Sequence, residues 1–129
     1  MEFIKNPEVS AVEIADLRQA VGWNRMEKWY GNPLMKSYYH IACYDDNLLV
    51  GYIDTVSNGV TDAYIQDLMV HPEYQHQGIG TRLMNMTIEQ LKDNQIYMIS
   101  VVFEERLFSF YKRFGFNSML CGQMQVSEV

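Results

Sequence analysis

The sequence predicts an α/β (α+β) chain: a mixed, mostly antiparallel central sheet of about six to seven strands flanked by about four helices. Three observations predict it. Strand-like runs over 38–44, 48–56 and 61–70 are joined by turn chemistry at Asp45-Asp46-Asn47 and Ser57-Asn58-Gly59, which makes an antiparallel meander. The last of these runs passes through a loop and a helical stretch into a further apolar run, a strand–helix–strand unit over 63–103 that should cross over in parallel. Amphipathic helical patterns flank both units.

Met1 to Lys5 reads as a first strand, ended by Asn6-Pro7. Ser10 and Glu13 form a capping box, opening a helix from Ala11 to about Ala20. Its apolar face draws on Val12, Leu17 and Val21, with Ile14 beside it. Gly22 stops it, Trp23-Asn24 leads to a short helix from Arg25 to Tyr30, and Gly31-Asn32-Pro33 is loop. After the meander, a helix from about Gly78 to Lys92 buries an arc of Ile79, Leu83, Met84, Ile88 and Leu91. Ile96 to Phe103 has the apolar continuity of a central strand covered on both faces. Leu107, Phe110, Tyr111 and Phe114 share one face of a helix over 105–113, and Gly115 suits its end. One or two strands over 116–126 finish the sheet.

At 129 residues the chain predicts one domain, 1–129, with a single core, and 48% apolar residues suit a globular one. No apolar run approaches the roughly 18 residues of a membrane span, and MEFIKNPEVS lacks a signal-peptide core. Cys43 and Cys121 lack metal-ligand spacing and sit in apolar segments, so two free, buried thiols in a reducing cytoplasm are expected, with no metal. A net charge of −6 argues against a nucleic-acid partner and suits a cationic substrate.

The stretch most informative about chemistry is Val70 to Arg82, VHPEYQHQGIGTR. It runs from a strand through His71-Pro72 to a helix start carrying Gly78 and Gly80. A helix start leaves about four N–H groups unpaired and partly positive, and glycines let an anion approach them closely. The stretch lacks the Lys-Ser/Thr of a P-loop and the third glycine of a dinucleotide fingerprint. Gln75, Gly78 and Gly80 match instead the Q/R-x-x-G-x-G/A motif of the GNAT N-acetyltransferases. Phe110 to Phe116, FYKRFGF, resembles the FYxxxGF signature of the same family. Both motifs stand in the family's order and spacing, and the resemblance covers Ala11 to about Met124.

The resemblance implies a GNAT fold and acetyl-CoA as co-substrate, with no metal. Leu68, Met69 and Val70 would bind the pantetheine arm like another strand, with a backbone N–H of Met69 or Leu68 facing the thioester oxygen. Gln75, His76, Gln77, Gly78, Ile79, Gly80 and Thr81 would hold the pyrophosphate, with Arg82 as a charged helper. Tyr111 matches the residue that commonly protonates the departing sulfur, and a phenol is protonated at neutral pH. Glu104 replaces an asparagine that many relatives place against the cofactor. Asp67 is the first candidate base; Gln66 stands where polyamine acetyltransferases often have a second carboxylate. Tyr64 could order a water, His40, His71 and Glu73 are further bases, and a water relay to solvent would also serve. Trp23, Trp29 and Tyr30, with Asp67, are candidates for binding the acceptor, since aromatic faces attract ammonium groups. The implied reaction is acetyl transfer, by direct attack in a ternary complex, to a primary amine of a small molecule. A protein or peptide acceptor and a non-catalytic acyl-CoA-binding module stay open, as does a homodimer; neither nucleic acid nor membrane is an expected partner.

Overall fold

The structure is a computed structural model and describes residues 1–127. Five strands form one sheet: β1 (Glu2–Lys5), β2 (Tyr39–Asp45), β3 (Leu48–Ser57), β4 (Asp62–Val70) and β5 (Met98–Val101). They lie in chain order across the sheet, antiparallel as far as β4, and β5 joins β4 in parallel. The helices are α1 (Ala11–Ala20), α2 (Glu27–Tyr30), α3 (Ile79–Asp93) and α4 (Phe108–Lys112), with 3-10 turns at Pro72–Tyr74 and Glu105–Leu107.

α1 begins where its capping box dictates: the Ser10 hydroxyl accepts from the Glu13 N–H, and Glu13 accepts from the Ser10 N–H. It lays Ile14 and Leu17 on Ala42, Leu49, Tyr52 and Met69 of one sheet face. Arg18 is buried on that same face, whereas Val12 is exposed. α3 covers the other face with Ile79, Leu83, Met84 and Leu91, packed on Ile41, Cys43, Ile53 and Ile65. The two layers approach so closely at Gly51 that a Cβ there would lie 3.0 Å from Ile79 Cγ2 and 3.3 Å from Leu83 Cδ1.

The sheet has five strands among the described residues, not six or seven. The segment 116–127 carries no strand, and its Met119, Leu120, Met124 and Val126 are exposed. β5 is therefore an edge strand covered on one side only, with Met98 and Tyr97 in solvent, rather than a central one. It is also shorter than its apolar run, because Val102 and Phe103 turn away to wall the cleft described below. Cys121 is exposed for the same reason, while Cys43 is buried; both are free thiols.

Candidate active site

β4 and β5 pair from Asp62↔Met98 to Ile65↔Val101 and then part, because β5 ends while β4 runs on to Val70. The parting coincides with a bulge. Tyr52 pairs with Met69 and Asp54 with Gln66, so Ile53 faces two residues, Asp67 and Leu68. Asp67 takes φ +57°, a left-handed conformation uncommon outside glycine. A bulge bends its strand and leaves the extra residue outside the ladder. The opening is a cavity of about 420 Å³ walled by Tyr64 to Leu68, Val101 to Glu104, Arg106, Leu107 and Tyr111, with Trp23 and Gln123 at its rim.

Tyr111 lies on α4, stacked on Phe103 at 4.4 Å and edge-on to Phe110 at 5.0 Å. Burial, and then Tyr64 nearby, push its phenol above the ordinary tyrosine range, so it keeps its proton. On the other wall, Asp67 is tied down. Arg18 Nη1 donates to its Oδ1 at 3.3 Å, and the Tyr30 hydroxyl donates to Oδ2. Arg18 also donates to the Asn24 carbonyl at 2.6 Å and to Asn24 Oδ1 at 2.7 Å. Its guanidinium sits 5.3 Å from the Trp23 ring centroid and 5.7 Å from that of Tyr30. Burial, then Asp67, drive the Tyr30 phenol far above its usual range.

Beyond Val70 the chain turns through His71, whose Nδ1 accepts from the Glu73 N–H at 3.1 Å, and Pro72–Tyr74. Gln75 Nε2 holds the Val70 carbonyl at 3.0 Å, and Tyr74 donates to Asp45 at 2.6 Å. His76 and Gly78 both take positive φ, and Gly78 caps α3 with no side chain, which leaves the first N–H groups of the helix to the loop. A Cβ added at Gly80 would lie 3.6 Å from the Phe110 ring and 3.7 Å from Val70 Cγ2, so this mouth borders α4 and the end of β4.

The structure thus brings Trp23, Tyr64, Asp67, Leu68 and Tyr111 around one cavity, with Tyr30 behind Asp67. Trp29 stands outside the lining with Lys28 against its ring, and His40, on β2, bonds the Pro7 carbonyl at 2.6 Å. His71 lines a separate small groove with Glu13 and Leu17. Arg82 stacks on Phe3 at 4.1 Å, away from the loop. Arg113 is a second cation at the α3 mouth, reaching Thr81 Oγ1 at 3.0 Å. The sequence reading missed Arg113 and Arg18. Arg113 lies inside the second motif, and Arg18 stands four residues after Ile14, on the apolar stripe, where a charge must be paired.

The sequence profile of the acetyltransferase (GNAT) family matches residues 9–116. The chain belongs to that family. Its solved relatives include an acetyltransferase of the GNAT family from Streptococcus pneumoniae, 30% identical, with a TM-score of 0.80 over 99% of this chain and 98% of that one. Curated relatives include the uncharacterized N-acetyltransferase ycf52 of Pyropia yezoensis, 30% identical over 86% of this chain and 67% of its own length. The ycf52-like protein of Prochlorococcus marinus is 31% identical over 81% of this chain and 61% of its own length. This chain spans about two thirds of the length of these curated relatives. Among the described residues no helix is long and apolar enough to cross a membrane, and no cluster of ligating side chains could hold a metal ion.

Proposed function

We propose that the protein is an acetyl-CoA-dependent N-acetyltransferase that moves an acetyl group to a primary amine of a small molecule. The observation that carries this is the parting of β4 from β5 at the Asp67 bulge, with Tyr111 on the cavity wall and its neighbour Phe110 against the α3 mouth at Gly80. Leu68, Met69 and Val70 offer main chain to a pantetheine arm laid along the gap. The loop from Gln75 to Thr81 and the first N–H groups of α3 take the diphosphate, with Arg113 adding charge at Thr81.

In the transfer, the amine nitrogen bonds to the acetyl carbon and the carbon–sulfur bond breaks. Main-chain N–H groups near the bulge hold the oxygen that becomes negative. Tyr111 gives its proton to the sulfur and recovers one from the new amide nitrogen by way of water. Asp67 accepts from Arg18 and Tyr30 and serves as the anchor of the acceptor wall; the amine attacks as the neutral base, having left its extra proton to solvent beforehand. Release of CoA thiol across an amine panel tests the reading. For Tyr111→Phe the expected result is a kcat at least about tenfold lower with unchanged acetyl-CoA binding; unchanged kcat would reduce Tyr111 to packing.

The proposed partner for the open edge of β5 is a second copy of the chain, supported by the apolar, uncharged tail residues Met119, Leu120 and Met124. The free thiols Cys43 and Cys121 support a reducing, cytoplasmic compartment.

A further inference from the structure

Among the described residues, Asp67 is the one non-glycine residue with positive φ inside a strand; the others sit in turns, in loops or at the cap of α2. A left-handed residue of this kind persists only where its surroundings over-determine it. The consequence runs along β4. Ahead of Asp67, Ala63 and Ile65 pack in the α3 layer; beyond it, Leu68 and Val70 do, and Met69 lies in the α1 layer. One inserted residue shifts the alternation, so the bulge decides which face each residue of 68–70 presents. The ladder does not fix the bulge, because its register pairs stop at Gln66 and resume at Met69.

What holds Asp67 comes from outside the sheet. Arg18 of α1 and Tyr30 of α2 both reach its carboxylate, and Arg18 also donates to the Tyr30 hydroxyl at 3.3 Å, so the three side chains close a ring. Asn24, in the link between the two helices, holds Arg18 through bonds of 2.6 and 2.7 Å. Neither Arg18 nor Tyr30 lines the cavity, whereas Asp67 and Leu68 do. Resting on the acetyltransferase reading above, we infer that Arg18 and Tyr30 are positioning residues for the transfer: by gripping the Asp67 carboxylate they hold the bulge, and with it the main chain of 68–70 against which the thioester is laid. The alignment of the reacting strand is thus set by α1 and α2 rather than by the sheet.

Tyr30→Phe is the probe, since it removes one tether and leaves the aromatic ring and the Arg18–Asp67 pair in place. CoA release is read across an amine panel at saturating acetyl-CoA, well below the melting midpoint of each variant, with acetyl-CoA binding followed by calorimetry. The expected result is a kcat about tenfold lower, within the range that a small misplacement of reacting groups costs, with KM for the amine kept within about twofold. Asp67→Gly keeps the left-handed conformation open but has no carboxylate, and should lose at least as much kcat. Asp67→Asn tolerates that conformation and still bonds both partners, and should recover most of it. Added to Asp67→Gly, Tyr30→Phe should change kcat by less than about twofold, because its route runs through the missing carboxylate. Three results would overturn the inference and leave the acetyltransferase standing. One is Tyr30→Phe with a lower melting midpoint and an unchanged kcat. Another is a raised amine KM that persists in the Asp67→Gly background, which would put Tyr30 on the acceptor itself. The third is Asp67→Asn as slow as Asp67→Gly, which would make the charge and not the grip the requirement. Wild-type protein that binds acetyl-CoA and releases CoA to no amine would overturn both.

Discussion

Arg18 holds a permanent charge in the core, and its donors are spent on Asn24, Tyr30 and Asp67. Removing one partner of a buried, hydrogen-bonded ion pair strands the other, a loss of about 3–5 kcal/mol. Arg18→Met should lower the unfolding free energy by about that much, measured by urea titration, and a loss under about 1 kcal/mol would show that solvent already screens the pair. Arg113 is different in kind, because it is exposed and its contact with Thr81 crosses between α4 and α3. Arg113→Gln should leave the unfolding midpoint unchanged and weaken CoA binding by about fivefold, the scale of one charge-assisted contact. Neither arginine is evident from composition. Apolar periodicity finds the stripe of α1 through Leu17, yet it scores a charge as solvent-facing, and only the tertiary partner Asp67, far along the chain, reveals the contrary. Asp67 was legible as a candidate; its pairing with Arg18 and Tyr30 was not, because nothing local in β4 says that α1 and α2 will close over it.

At the level of elements, local signals served best where one signal sufficed. The Ser10–Glu13 box opens α1 at Ala11, the turn residues place β2 and β3, and Gly78 opens α3. Ile96 to Phe103 misled because apolar runs record burial without saying against what. Four of those residues pair with β4, and the end of the run walls the cavity. β3 carries a pH-dependent weakness of its own. Burial raises the Asp54 carboxyl above the usual range despite the donors Ser37 and Thr55. An acid whose folded-state pKa is raised binds its proton more tightly when folded. Its contribution to stability is thus complete below the unfolded value, about 3.9, and lost as pH climbs through the folded one. Asp54→Asn should remove that decline. Thermal melts from pH 4 to 8 would show it as a flatter curve for the variant; parallel curves would mean that other groups set the slope.

For the whole molecule, the two ends of the sheet are unequal. β1 and β5 are both edge strands with a single partner, but only β5 lies beside the tail whose apolar side chains meet water. Exposed edges and exposed apolar segments recruit other chains. Light scattering after gel filtration should therefore find a dimer, and Leu120→Lys should shift it towards monomer with acetyl-CoA affinity kept. A wild-type monomer at tens of micromolar would leave the tail without this role. The reading of 116–126 as strand rested on the same apolar content that now stands in solvent, so the pattern identified a segment in need of cover without identifying the cover.

Gly51 lies in β3 opposite Val70, buried under the sheet face that α3 covers, with the first turn of α3 pressed onto it. One methyl group added there would act as a shim, tilting the helix off its bed and misaligning the row of amides at its tip. A mutational screen for lost coenzyme affinity ought therefore to return hits from this buried spot in β3.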